Sequence, residues 1–411
     1  MDFPYVISTI LHILFFKLFP LLQFKTEYCS LEFPFTSSSA AELPFHLNMD
    51  DMSSPYRALN VGIESPELPS DVLDSIAKKL DIDDLFSFGE VCKDWRMFHS
   101  DFWREFMASH APLIVQKTPH AKRACSFFSI SDERIYNTLL PFFSGFSLAG
   151  FSSGYMVMAG QDNAVVLVNP FARKKMTISG SPDQGCVIDL YDRATLAFAT
   201  NSSEEFVLVA LCTWSFNMHV YQSRNSSWVI YSRWGTPWRV MDVVVCRNTL
   251  YAITDEAEIG VVMLNNNNHS LKILEFSNKP IFATSNLKLV STDDKLLVVL
   301  VLPTLEVEIF MIDLSEMAWF KIELLGDRAL FLGVNSKCYS LSNPGMWGFH
   351  SNCVYLISRN SPLCKLVSLK NQVIRVISLP ENRGPLGAKL CNIDWCFRSR
   401  RDEMDYALHE E

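Results

Sequence analysis

The spacing of apolar residues changes once along this chain, a little beyond residue 105. Between Leu68 and Trp103 they recur every three or four positions, the period of a helix with one buried face. Val72, Leu73, Ile76 and Leu80 make one stripe, with Asp74, Lys78 and Lys79 mostly off it. Leu68-Pro69 reads as an extended start, because the proline ring disfavours helix in the residue before it, and Ser70 or Asp71 is placed to cap the first helix. Asp81, Asp83 and Asp84 suit the start of a second helix, where the dipole favours negative charge. Gly89 falls at the junction with a third helical run bearing Val91, Cys92 and Trp95, and Phe102 with Trp103 close the unit. Some forty residues bury too little surface to be stable alone, so this unit has to lean on a neighbour.

From Gly150 onward short apolar or alternating runs succeed one another, punctuated by Gly, Pro, Asn, Asp and Ser, which predicts an all-β region. The runs repeat as hairpins. VVLVNPFARKKMTI from Val165, MHVYQSRNSSWVIY from Met218, VVMLNNNNHSLKIL from Val261, IFMIDLSEMAWFKI from Ile309 and CKLVSLKNQVIRVI from Cys364 share a strand, a polar turn and a second strand. Their turn positions, Asn169, Gln222, Asn265, Asp313 and Lys370, lie roughly fifty residues apart, the scale of a propeller blade. LLVVLVL from Leu296 and DVVVC from Asp242 are apolar almost throughout, as strands covered on both faces are. With further strands near Ala124 and Ile393, a closed ring of about six blades is predicted; an irregular β-sandwich is the alternative.

Both regions resemble known families. Leu68-Pro69, Asp71-Val72-Leu73, Ile76, Leu80, Asp84-Leu85, Phe88, Val91-Cys92-Lys93, Trp95-Arg96 and Trp103 resemble the F-box, the adaptor-docking module of cullin-based ubiquitin ligases. GFSSGYMVM, SRNSSWVI, DVVVCRNTLYAIT, Phe331-Leu332-Gly333, Asn352-Cys353-Val354-Tyr355 and IDWCF resemble the kelch-like C-terminal domain of unknown function found in many plant F-box proteins. The resemblance implies an α+β multidomain chain, a helical F-box followed by an all-β propeller. It also implies a non-catalytic substrate receptor, held by a Skp-type adaptor and through it by cullin and a RING subunit, with the propeller binding an unknown target protein. The adaptor contacts it implies are Leu68, Pro69, Val72, Leu73, Ile76, Leu80, Leu85 and Val91, while Trp95 and Trp103 knit the module's own core. A non-degradative interaction protein that uses the adaptor for stability is the alternative.

Charge and chemistry narrow this further. The net charge of −9 disfavours a sequence-independent grip on nucleic acid. Eleven cysteines are scattered without a CxxC pair, and the nine histidines are dispersed, so neither a disulfide framework nor a metal site is predicted, and no cofactor. A reducing compartment, cytoplasm or nucleus, fits that usage. The sequons at Asn201, Asn225 and Asn268 matter only in the secretory path. Gly150-Phe151-Ser152-Ser153-Gly154 satisfies the G-x-S-x-G pattern of a hydrolase nucleophile, with His219 a conceivable base. That elbow requires a helix after the serine. A strand is predicted there instead, so Ser152 reads as a turn residue whose replacement by alanine leaves function intact, and a serine hydrolase stays a remote alternative.

The domain plan is an extension over 1–66, an F-box over 67–106, a linker over 107–149 with room for a first or closing strand, a propeller over 150–400 and an acidic tail over 401–411. Val6 to Phe24 is apolar but interrupted by His12, Lys17 and Pro20. An anchor, a signal, an interfacial stretch and translation starting at Met49 or Met52 are the readings of this extension, and a chain starting at Met49 is expected to fold and dock as well as the full one.

Overall fold

The computed structural model describes residues 68–117, 124–140, 146–160, 164–180, 191–212, 217–231, 239–264, 270–281, 286–302, 306–333, 337–358, 361–370, 372–380 and 392–409. The expectations for residues 1–66 lie outside them. Among the described residues no helix is long and apolar enough to cross a membrane.

Three helices open the structure: α1 (Ser70–Ala77), α2 (Ile82–Phe88) and α3 (Lys93–Ala108). Pro69 occupies the cap position of α1, and its carbonyl accepts from the amides of Val72 and Leu73; no side chain caps this helix, so the role foreseen for Ser70 or Asp71 is not used. Gly89 ends α2 with an ordinary helical φ, so backbone freedom is not its purpose. A Cβ there would lie 2.8 Å from the His99 ring, which is why the α2–α3 corner needs glycine.

Six sheets come after the helices. Their inner strands are β4 (Ser147–Ser152), β8 (Tyr191–Ala199), β12 (Val240–Cys246), β16 (Leu287–Thr292), β21 (Tyr339–Ser342) and β25 (Asn392–Cys396). Each of these sheets packs against the next, and the sheet of β25 packs back against β4, so the ring closes on itself. Apolar clusters fill the gaps between successive sheets. This is a six-bladed β-propeller.

All five hairpins read from the sequence are the two outermost strands of blades two to six. The sixth unit lies in the segment read as a linker. There β1 (Leu113–Lys117), β2 (Ala124–Ser129) and β3 (Arg134–Leu139) form the first blade, and β25 completes it by pairing with β1. Its hairpin shares the others' turn. Ser129, like Asn169 and Asp313, accepts an amide three residues on, and Glu133 takes the positive φ that Arg173, Ser226 and Met317 take at the same step. Leu296 lies on β17 (Lys295–Val301), the second strand of its blade. In the sixth blade β20 (Arg328–Gly333) runs parallel to β22 (Cys353–Ser358), because β21 and a 3-10 turn at Pro344–Trp347 intervene.

The acidic tail is not free. β26 (Glu403–Met404) adds to β8 as a fifth strand of the third blade, and Met404 and His409 are fully buried. His409 accepts the Leu250 amide at Nε2, placing the end of the tail on the next blade.

Candidate functional site

The helical module is built onto the first blade. Ile82 and Phe106 belong to one apolar cluster with Leu113, Val115, Phe127 and Phe171 of the propeller. Trp103 packs between Phe86 at 4.7 Å and Phe106 at 5.1 Å, and Trp95 packs on Phe88 at 4.5 Å, so both tryptophans knit the interior. Polar clasps fix the orientation. Arg134, on the outermost strand of the first blade, donates to the carbonyls of Ala77 at 2.9 Å and Leu80 at 2.8 Å, just past the end of α1, where Ala77 also accepts the Leu80 amide. In return the Asp83 carboxylate accepts the Leu139 amide at 2.9 Å, and Asp81 accepts the Asn137 amide at 3.2 Å. Two carboxylates read from the sequence as helix-start residues thus also cover an exposed strand edge, which would otherwise be free to pair.

This docking divides the eight residues singled out in the sequence. Leu73 and Leu85 are buried and offer little surface as the chain stands, which suits core packing better than contact with a partner. Leu68, Val72, Ile76 and Leu80 are half-buried, Pro69 is exposed, and Val91 is 41 % exposed. Val72 and Ile76 lie one helical turn apart on α1, beside the inward pair Leu73 and Ala77. The accessible apolar residues therefore sit on the flank of α1 and at the α2–α3 corner, supported from behind by buried ones.

The G-x-S-x-G sequence lies elsewhere, on the inner ring, and its glycines and serines have structural reasons. Ser153 and Gly154 both take positive φ, a two-residue hairpin turn between β4 and β5 (Tyr155–Ala159). Arg247-Asn248 and Asp293-Asp294 make the same turn in two other blades, so the motif is one blade's version of a repeated corner. Ser152 is fully buried. Its hydroxyl donates to the Leu196 carbonyl at 3.3 Å and accepts the Leu196 amide at 3.0 Å, joining β4 to β8. His219 is buried on β10 (Met218–Gln222), where it packs against Trp228.

Similar latches recur around the ring. Asp394 of β25 accepts the Phe151 amide at 3.0 Å, Asp242 of β12 accepts the Leu289 amide at 2.9 Å, and Thr195 of β8 donates to the Val243 carbonyl at 2.9 Å. At the centre Lys337 forms a buried ion pair with Asp402, whose carboxylate also takes the Arg400 guanidinium at 3.1 Å. Burial works to raise the Asp402 carboxyl, but Lys337 and Arg400 override it and hold it down to about 2. Lys337 Nζ lies 3.5 Å from Ser152 Oγ; an ion-paired ammonium has no lone pair with which to take a proton from that hydroxyl. The eight described cysteines form no disulfide, seven of them are buried, and burial pushes the Cys364 thiol up to about 12, away from thiolate chemistry. No group of His, Cys, Asp and Glu among the described residues could hold a metal ion.

A three-helix module thus precedes a six-bladed propeller, and modules of these two kinds are typically non-catalytic receptor elements. Residues 65–108 match the F-box-like family, and residues 127–376 match the KIB1-4 beta-propeller family. The chain belongs to the KIB1-4 beta-propeller family, with an F-box-like domain before the ring. No curated relative matches it. Among solved structures, a nidogen/laminin complex matches with TM-score 0.40 and 8 % identity, over 70 % of this chain and all of that one, a likeness too weak to carry an argument.

Proposed function

We propose that the chain is the substrate receptor of a Skp–cullin–F-box ubiquitin ligase, working in the cytoplasm or nucleus. In this reading the F-box-like module docks a Skp-type adaptor, which brings cullin and a RING subunit, and the propeller presents its loops to a target protein. The observation that carries the reading is the accessible apolar flank of Leu68, Pro69, Val72, Ile76, Leu80 and Val91, set on helices that are clamped to the propeller. A rigid link between the docking face and the ring suits a receptor, because it fixes where a bound target lies relative to the rest of the assembly. The chain then contributes no bond-making group; it raises the effective concentration of the target beside a charged ubiquitin carrier.

The test is co-purification of adaptor and cullin with the full chain and with a variant carrying Leu68→Ala, Pro69→Ala and Val91→Asp. These three positions leave the buried core untouched, so folding is expected to persist while adaptor capture falls at least tenfold, which corresponds to about 1.4 kcal/mol. Undiminished capture by the triple variant would sink the assignment. Capture of adaptor without cullin would favour the non-degradative reading.

A further inference from the structure

A cavity of about 1250 Å³ opens where α3, the first blade and the 3-10 turn of the sixth blade meet. Phe106 and Tyr136 line it on one side, Met346 and Trp347 on another, and Arg398 also lines it. Arg398 is 7 % exposed. Its guanidinium lies 3.9 Å over the Phe106 ring and donates to the Ala111 carbonyl at 3.3 Å. Its Nε is buried without a partner, and no carboxylate among the described residues pairs with it. Leaving a buried cation without an anion is costly, and elsewhere the buried Lys337 and Arg400 share the Asp402 carboxylate. Burial also works against the charge of Arg398. The missing element is therefore an anion.

The rim has the opposite character. Glu105, Asp132 and Glu133 line the cavity and are exposed, whereas Asp74 is neutralised by Lys78 at 2.6 Å and Arg134 is held by the α1 carbonyls. A multiply charged phosphate would meet this acidic rim unfavourably. A single carboxylate on an apolar body, followed by positive charge at the mouth, would match floor, walls and rim together. The cavity is also larger than the range of about 300–1,000 Å³ usual for small ligands. Resting on the receptor reading above, we propose that this junction cavity recognises the C-terminus of a target protein. Its terminal carboxylate pairs with Arg398, an apolar last side chain packs on Phe106 and Trp347, and a lysine or arginine just upstream meets Glu105, Asp132 and Glu133. Capture of a chain terminus by its carboxylate is a recurring mode of peptide recognition, and a guanidinium offers the carboxylate a two-pronged partner.

The test uses the full chain co-expressed with adaptor. It is exposed to an array of pentapeptides anchored at their N-termini, each present as free acid and as C-terminal amide, and binders are then measured by fluorescence anisotropy. The expected binders are free acids with an apolar last residue and a basic residue upstream, and amidation is expected to weaken them at least tenfold. Arg398→Gln should cause the same loss. Because that position is buried, Met346→Asp and Glu133→Lys serve as variants on exposed positions; the first should weaken all binders, and the second should abolish the preference for basic residues while keeping the need for a free carboxylate. Binding indifferent to amidation overturns the proposal, as does failure of the folded chain to retain any peptide. Saturation of the cavity by a simple apolar acid such as decanoate, with no peptide bound, overturns it equally. Adaptor capture measured on the same preparations keeps the two readings apart: its loss with peptide binding intact sinks the ligase reading alone.

Discussion

At the level of single residues, burial decides what a reactive-looking group can do. Ser152 stands in a frame that invites a nucleophile, yet both capacities of its hydroxyl are occupied by the Leu196 backbone. Replacing it with alanine leaves a buried amide unsatisfied, which costs about 1–3 kcal/mol. Ser152→Ala is accordingly expected to lower stability in urea unfolding by that amount while leaving function intact. A serine-reactive phosphonate is expected to label neither form; labelling of the wild type alone would restore the hydrolase reading. Asp402 makes a second case. Removing one member of a buried ion pair strands the other, so Asp402→Asn is expected to destabilise the chain by about 3–5 kcal/mol in equilibrium unfolding. Because folding lowers the Asp402 carboxyl from its ordinary value to about 2, its contribution is present above pH ~4 and disappears as pH falls towards 2. An acid titration of stability should show this loss in the wild type and lack it in Asp402→Asn.

Among elements, the decisive contact is the clasp between α1–α2 and β3. Arg134 serves carbonyls at the end of α1, while Asp81 and Asp83 serve amides along β3, so side chains of each element bond backbone groups of the other. Hydrogen bonds from a charged donor are worth about 1.5–3 kcal/mol each, discounted here for the part-buried setting. Arg134→Met should therefore accelerate amide exchange in α1 and along β3 without altering the blades opposite. Uniform exchange across the whole chain would show that the clasp is incidental. Both partners of this clasp were visible as charged residues, but their pairing was not, since they are far apart in the chain and neither forms a local motif.

For the whole molecule, closure of the ring depends on β25 joining strands laid down near the start of the propeller. A chain ending before residue 392 loses the inner strand of the first blade and the Asp394 latch onto Phe151. It is expected to lose cooperative thermal unfolding, whereas a chain ending at residue 402 keeps the ring and loses the β26, Asp405, Tyr406 and His409 contacts. Comparison of the two by circular dichroism checks this; equal melting curves would refute a closing role for β25. The chain's own pattern determined much of the fold. Helical spacing over 68–103 and turn-punctuated alternation from residue 150 are local signals, read from neighbours in sequence, and they specified the docking module, the outer hairpins of five blades and a ring of about six. The sixth outer hairpin was encoded too, in the Ser129–Glu133 turn, but its strands are broken by polar residues such as Asn137 and Thr138, which hid the period. Other features arise only when distant segments meet. The composite first blade, the tail threaded onto β8, the burial of Leu73 and Leu85, and the burial of Arg398 beside its cavity all depend on which surfaces come together. Hydrophobic periodicity states that a face is to be buried; the partner that buries it, and the polar groups carried inside with it, are chosen by tertiary packing.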